Sequence, residues 1–257
     1  MDWVNAFLVI LVGLVSGYIN TLAGAGSLLT LPLLIFLGLP ATIANGTNRV
    51  GILIQSIVAT FSFKKQEIFE WGDGLYLGLP SVAGAVFGAF MAVRLDEFLM
   101  KRIIGFLLLF MLLLVFFKPD VWIKGHASGQ SKKSLWHLPV YFVIGFYGGF
   151  IQAGVGYFLL AGLVLVSGYN LVKANGLKVF IVLLFTIPAL TIFVFNQQVN
   201  LLYGLLLGAG SSAGAYIGAK SAKKFGAKYV MYIVALTLVV SIFDFLGIIK
   251  IALSWFN

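Results

Sequence analysis

Apolar residues in this chain occur in long unbroken runs separated by short polar segments. Eight runs are long enough to form helices that cross the roughly 30 Å hydrocarbon layer of a membrane. They cover residues 4–22, 42–63, 75–93, 103–117, 135–153, 171–195, 201–219 and 229–249. Two shorter runs, 27–39 and 157–169, each follow a Gly-x-Gly sequence. A helix of about 13 residues is only about 20 Å long, so these two runs need a separate explanation.

The composition indicates the class of protein. Of all residues 61% are hydrophobic and 10% are charged, which leaves too few polar residues to cover a water-facing surface. We therefore predict an all-α polytopic membrane protein. The chain has no cysteine, which excludes disulfides, thiolate metal sites and a cysteine nucleophile. Its net charge of +9 lies mostly in short loops, which is typical of positive-inside orientation and lipid headgroup contact rather than of nucleic-acid binding.

The chain contains an internal repeat. When the sequence is shifted against itself by 130 residues, small and polar residues coincide from the first Gly-x-Gly onward without a gap. The matching pairs include Gly24 with Gly154, Gly26 with Gly156, Gly38 with Gly168, Asn45 with Asn175, Gly78 with Gly208 and Ser81 with Ser211. We interpret residues 1–127 and 128–257 as two membrane repeats joined by the polar loop 118–134.

The orientation of the repeats depends on the short runs. If these runs cross the membrane, each repeat has five spans and the two are inverted; if they only dip in, each has four and the two are parallel. With five spans, eleven basic residues share one side: Lys64, Lys65, Lys118, Lys124, Lys132, Lys133, Lys173, Lys220, Lys223, Lys224 and Lys228. The other side has Arg94, Lys101, Arg102 and Lys250. The positive-inside rule therefore favours ten spans in a cytoplasmic (inner) membrane, with both termini outside.

The two Gly-x-Gly sequences predict breaks in helices at matching positions of the repeats. Interrupted helices of this kind form substrate sites in transporters, where exposed backbone lines a polar cavity. The helix that starts after each break would direct its free N–H groups and positive dipole end at the cavity, which suits an anion. Gly24, Gly26, Gly154 and Gly156 are therefore candidate site residues. The alternative is that these glycines only let helices pack closely.

Two basic residues lie inside predicted spans, and a cation exposed to lipid at that depth is costly. Arg49 is about 10 Å from the start of its span, and Lys178 is placed similarly in the second repeat. No acid in the same spans pairs with them, so we expect a mobile anion to supply the negative charge. The alternative is that both side chains extend to the membrane surface.

Several amides accompany these cations. Residues at helical spacing share one face with Arg49: Asn45, Asn48, Gln55 and Ser56. The second repeat has a similar polar face with fewer residues, formed by Asn175, Lys178 and Thr186. Asn20 and Gln152 lie beside the two breaks, where they would face the cavity or link helices. We predict an anion site made of these amides, Arg49, Lys178 and the two helix starts.

Other chemistry has little support in the sequence. His126 and His137 do not form a pair with metal-ligand spacing, and we predict no metal site and no cofactor. The sequence has no phosphate-binding loop for ATP and no arrangement of a nucleophile with a base, so we predict no enzyme activity. Asp244 in the last span is a weak candidate for carrying a coupling proton. The expected partners are a small anion and the lipid bilayer, and the sequence leaves a homo-oligomer open.

Three short sequences occur in the same order in both halves. They are Gly-x-Gly at 24–26 and 154–156, a glycine at 38 and 168, and Ala-Asn-Gly at 44–46 and 174–176. With this pattern, the chain resembles the sulfite exporter TauE/SafE family of bacterial membrane permeases over essentially its full length. The resemblance implies transport of sulfite or related organosulfonate anions across the cytoplasmic membrane, and the scarcity of buried acids favours export. We expect a secondary transporter that works by alternating access; an anion channel, or a permease for another small carboxylate or inorganic anion, is the alternative.

Overall fold

A computed structural model describes residues 3–116 and 134–222. The polar loop 118–133 with His126, and the predicted span 229–249 with Asp244, lie outside the described residues. The helices are α1 (Trp3–Ala23), α2 (Ser27–Phe36), α3 (Ala41–Lys65), α4 (Trp71–Ala92), α5 (Glu97–Phe116), α6 (His137–Phe150), α7 (Val155–Ala161), α8 (Leu171–Phe195) and α9 (Leu201–Ala222). A π-helical turn, Gly162–Val166, extends α7.

The described helices have the length and surface of a membrane protein. Four of them, α1, α4, α8 and α9, are long and apolar enough to cross a bilayer. Large apolar side chains such as Phe7, Phe61, Phe87 and Leu201 are exposed on the outside of the bundle. Lipid is the solvent that tolerates such a surface, because helices satisfy their own backbone hydrogen bonds.

Small residues bring the first helix of each half against the fourth helix of the other half. Gly84 and Gly88 of α4 contact the backbone of α6 at Phe142 and Phe146. In the same way, Gly210 and Gly214 of α9 contact the backbone of α1 at Ile10 and Leu14. Residue numbers rise together along both contacts, so α4 and α6 run in one direction, and so do α1 and α9. Close backbone approach at glycine is the usual way in which membrane helices pack.

A second pair of contacts follows the 130-residue offset closely. Gly204 and Gly208 of α9 meet Val50 and Ile54 of α3. The residues 130 positions away repeat the contact, since Gly74 and Gly78 of α4 meet Phe180 and Leu184 of α8. These contacts make α3 parallel to α9 and α8 parallel to α4. Each half of the chain therefore packs its first and third helices against the fourth helix of the other half.

Helix α2 turns back instead of continuing in the direction of α1. The Thr30 hydroxyl of α2 donates to Asn48 Oδ1 of α3 at 2.6 Å, and Ser27 lies near Ile52 and Ser56, further along α3. Helix α2 is therefore antiparallel to α3, whereas α1 is parallel to α3. Together α1 and α2 form a helical hairpin that returns to the side on which α1 begins.

The sequence predicts that the short helix makes a crossing of its own after an extended segment, and the structure contradicts the extended segment. Instead, Gly24 has a φ of +78°, a left-handed conformation that glycine adopts without strain, and the chain reverses there. With 10 residues, α2 is about 15 Å long, which is about half the thickness of the hydrocarbon layer. The loops nevertheless stay on the sides that the five-span scheme gave them, because the hairpin and two crossings both return the chain to its starting side.

The second half has a corresponding break between α6 and α7. Helix α6 ends at Phe150, three residues before the end of the apolar run that predicted it, and Gln152 and Gly154 both have a φ of +67°. Three pairs of left-handed residues are 130 positions apart in the chain: Gly24 and Gly154, Gly38 and Gly168, and Glu67 and Gln197. The backbone thus reverses at equivalent positions in the two halves.

Candidate anion site

The two helix breaks meet in the interior of the bundle. Gly24 and Gly156 approach so closely that a Cβ atom on either residue would overlap the backbone of the other. The residues next to these glycines, including Ala23, Ala25 and Val155, are buried. The C-terminal ends of α1 and α6 and the N-terminal ends of α2 and α7 therefore come together at one place, with the long helices α3 and α8 beside them.

Arg49 of α3 binds the end of α6. Its guanidinium is fully buried, with 0% exposure, and donates to the carbonyl oxygens of Gly148 at 2.9 Å and Gly149 at 2.7 Å. The same group donates to Gln152 Oε1 at 3.2 Å, and it lies over the ring of Phe193, 4.4 Å from the centroid. Arg49 thus ties the third helix of the first half to the break of the second half.

Lys178 of α8 binds the end of α1 in a related way. Its side chain is 1% exposed, and its ammonium donates to the carbonyl oxygens of Asn20 at 2.9 Å and Thr21 at 2.7 Å. A third bond of 2.8 Å runs to Asn175 Oδ1, one turn earlier in α8. Each half of the chain therefore places a cation on the break of the other half.

These contacts correct the expectation that only a mobile anion balances the two cations. The last carbonyl groups of a helix have no partners within the helix and carry the negative end of its dipole. Arg49 and Lys178 satisfy such carbonyls at the ends of α6 and α1, in the role that basic side chains often have at helix C-termini. Both charges are partly compensated by the protein itself, and neither side chain extends to the membrane surface.

The predicted amides of α3 and α8 also surround the breaks. Asn45 Nδ2 donates to the carbonyl oxygen of Phe150 at 2.9 Å, and Asn175 accepts from Lys178. Among the described residues, Asn45 Oδ1, Asn48 Nδ2 and Asn175 Nδ2 are buried polar atoms without a hydrogen-bond partner. Such atoms are costly unless a polar ligand, a water molecule or a rearrangement satisfies them.

A small cavity with polar and apolar residues in its lining lies between the breaks on the Lys178 side. Its lining consists of Asn20, Thr21, Gly24, Ser27, Ile52, Gln55, Ser56, Ala59, Gln152, Val155, Gly156, Lys178, Val179 and Val182. The space holds about one water molecule, so a sulfur oxyanion would need the surrounding helices to separate. Lys178 supplies the only charge in this lining, and the other polar groups are carboxamides, hydroxyls and backbone.

The cavity gathers some of the predicted site residues but not all of them. Six of those predicted from the sequence line it: Asn20, Gly24, Gln55, Gln152, Gly156 and Lys178. The others lie around it. Arg49 and Asn45 are at the end of α6, Asn48 bonds to Thr30, Asn175 bonds to Lys178, Gly26 packs against α1, and Gly154 precedes α7.

The sequence interpretation missed Thr21 and Ser27 in the lining. Both are small hydroxyl residues directly beside the first Gly-x-Gly, and that position was the available signal. It also missed the ring of Phe193 beneath Arg49, for which a single aromatic residue in an apolar helix gives no signal. Among the described residues there is no cluster of three or more metal-ligating side chains.

Comparison with known proteins gives consistent matches over most of the chain. The family model "Sulfite exporter TauE/SafE" matches residues 9–245. A probable membrane transporter protein of Sinorhizobium, ORF9, is 31% identical over 84% of this chain and 82% of its own length. A probable membrane transporter protein of Haemophilus influenzae is 28% identical, covering 81% of this chain and 82% of its own. YunE of Bacillus subtilis, also a probable membrane transporter protein, is 22% identical over 90% of this chain and 94% of its own length. No solved structure matches the chain significantly.

Proposed function

Since the chain belongs to the sulfite exporter TauE/SafE family and is a multi-pass membrane protein, we propose that it is a secondary transporter that exports sulfite or a related sulfur-containing anion. The observation that carries this proposal is a buried lysine facing a polar cavity between two helix breaks. Lys178 brings a positive charge to the lining, and no carboxylate occurs among the described lining residues. A cavity of this kind attracts an anion and repels a cation.

The anion would bind by replacing existing partners of Lys178. Each proton of the ammonium now meets a protein oxygen, at Asn20, Thr21 or Asn175. An oxyanion that entered the cavity would accept one or more of these protons, and charge-assisted bonds are stronger than bonds to neutral carbonyls. The end of α1 would then lose part of its attachment to α8. Binding would in this way loosen the contact between the halves.

Alternating access would use the packing of the two halves. We propose that they are inverted copies that rock against each other around the anion. The end of α4 lies beside the start of α9, where Gln198 Nε2 donates to the carbonyl oxygen of Val93 at 3.0 Å, so these two equivalent helices run in opposite directions. With the parallel pairs α1 with α9 and α4 with α6, the same holds for α1 and α6, which supports this proposal. Glycines line the contacts between the halves, so such a movement would require few side-chain rearrangements.

Export needs no second ion in this scheme. With the cell interior negative, each negative charge that leaves gains about 2.3 kcal/mol per 100 mV. A divalent anion would therefore be expelled by the membrane potential alone. Uptake would require co-transported cations, for which the described cavity offers no carboxylate.

Binding is tested by thermal unfolding of the purified protein with sodium salts of sulfite, sulfate, thiosulfate and an alkylsulfonate. An anion that binds only the folded protein at 100 times its Kd stabilises it by about 2.7 kcal/mol. We expect a sulfur anion to raise the melting temperature well above the effect of chloride at equal ionic strength. Equal melting temperatures in all salts, including acetate and nitrate, would contradict the proposal.

The proposed topology predicts the outcome of cysteine labelling, which is unambiguous because the chain has no cysteine of its own. Two exposed basic residues flank α4: Lys65 precedes the helix and Arg94 follows it. In intact cells we expect Arg94→Cys to react with a membrane-impermeant maleimide and Lys65→Cys to be protected. In inside-out vesicles the pattern should reverse. Reaction of Lys65→Cys in intact cells would show that the orientation is wrong.

A further inference from the structure

Gln152 connects Arg49 with the cavity. It is 1% exposed and lines the cavity, whereas Arg49 does not. Its Oε1 accepts from Arg49 at 3.2 Å, and its Nε2 donates to Thr186 Oγ1 of α8 at 2.7 Å. Thr186 is fully buried as well. The side chain of Gln152 is therefore held at both ends of its carboxamide, at the start of the second break.

Arg49 determines which way the carboxamide points. The oxygen and nitrogen of a glutamine amide have nearly the same shape, so their assignment follows from the hydrogen bonds. Arg49 can only donate, so the atom that faces it is the oxygen. The nitrogen then faces Thr186, whose hydroxyl accepts one of its two protons. The second Nε2 proton has no partner among the described residues.

We propose that Thr186 is a positioning residue of the anion site: Arg49 sets the orientation of the Gln152 carboxamide, and Thr186 holds its Nε2 in place so that the second N–H is available to the bound anion. This inference rests on the proposed function. The charge of Arg49 would then act on the anion through Gln152, without direct contact. If the carboxamide turned over, its oxygen would face the anion and repel it.

The arrangement defines the class of anion that this side of the site accepts. A fixed N–H donor requires an oxygen with a free lone pair, and every oxygen atom of sulfite and of an alkylsulfonate provides one. The first half has Leu22 at the position equivalent to Gln152, so the donor belongs to one side of the cavity only.

The experiment compares Thr186→Val with Thr186→Ser by titrating each purified variant with sodium sulfite. Valine has the shape of threonine but no acceptor, and serine keeps the hydroxyl. We expect Thr186→Val to bind sulfite about tenfold more weakly than the wild-type protein, as for the loss of one oriented hydrogen bond. Thr186→Ser should bind within about twofold of the wild type, and that rescue would not occur if Thr186 only filled space.

Two comparisons keep the outcomes distinct. If Thr186→Val cannot be purified in folded form, Gln152→Asn replaces it: asparagine tolerates the left-handed backbone but is too short to reach both Arg49 and Thr186. This variant is also expected to bind sulfite about tenfold more weakly. Wild-type affinity in either variant, or equal loss in the Val and Ser variants, would overturn the inference alone. A wild-type protein that binds none of the sulfur anions would overturn the proposed function, and the inference with it.

Discussion

Lys178→Met is expected to abolish binding of the transported anion. Methionine is about as long as the lysine stem and is apolar, so it fills the same space without the charge. Removing one partner of a buried, hydrogen-bonded charge pair costs about 2–5 kcal/mol, which corresponds to a loss of affinity of about 30-fold or more. The measurement is the shift in melting temperature with sulfite, compared with the same variant in chloride.

A matched control lies in the same helix. Lys173 is five residues earlier in α8, makes an ion pair of 3.0 Å with Asp73, and does not line the cavity. Lys173→Met should retain the sulfite shift of the wild type. Lys178→Met will also lower the melting temperature without anion, because Asn20 and Thr21 lose their donor, and for this reason the sulfite increment is the quantity compared. A full increment in Lys178→Met would remove Lys178 from the site.

Arg49→Met is expected to destabilise the protein strongly. The variant loses three hydrogen bonds and leaves the buried carbonyl groups of Gly148 and Gly149 without donors. Each buried group left unsatisfied costs about 1–3 kcal/mol, so the two carbonyl groups together cost roughly 2–6 kcal/mol. For a chain of this size we expect a melting temperature lower by about 10 °C or more. Thermal unfolding in detergent without added anion measures this effect.

Arg102 provides the comparison for the loss of an arginine as such. It is exposed at the start of α5, with its guanidinium over the ring of Phe98. Arg102→Met should change the free energy of unfolding by less than about 0.5 kcal/mol. If Arg49→Met were as stable as Arg102→Met, the guanidinium would not hold the end of α6. Its burial would then need another cause.

The positions of the breaks and cations could be read from the sequence because both violate the pattern around them. A Gly-x-Gly between apolar runs and a charge inside an apolar run each have few explanations in a membrane, and the repeat doubled both signals. The partners of those charges could not be read in this way. Arg49 contacts carbonyl groups about 100 positions away in the chain. Every residue has a backbone carbonyl, so the sequence does not indicate which of them Arg49 contacts.

The path of the chain through each break also could not be predicted from the sequence. Hydrophobic length shows that α2 is short, but the choice between a crossing and a return depends on the dihedral angles of Gly24 and its neighbours. The repeat also conceals an asymmetry. The offset pairs Lys178 with Asn48, and Arg49 with Val179, so the cations are one position out of register. As a result only Lys178 reaches the cavity, and Arg49 reaches it through Gln152.

Counterflow in proteoliposomes tests most directly whether this chain is a carrier that moves sulfur anions. Vesicles loaded with unlabelled sulfite are diluted into a trace of labelled sulfite, with the membrane potential clamped at zero. An alternating-access carrier will accumulate label transiently above its external concentration, and vesicles with Lys178→Met will not. Equilibration of label without accumulation in the wild-type protein would indicate a channel, and the absence of any uptake above that of empty vesicles would contradict sulfite transport altogether.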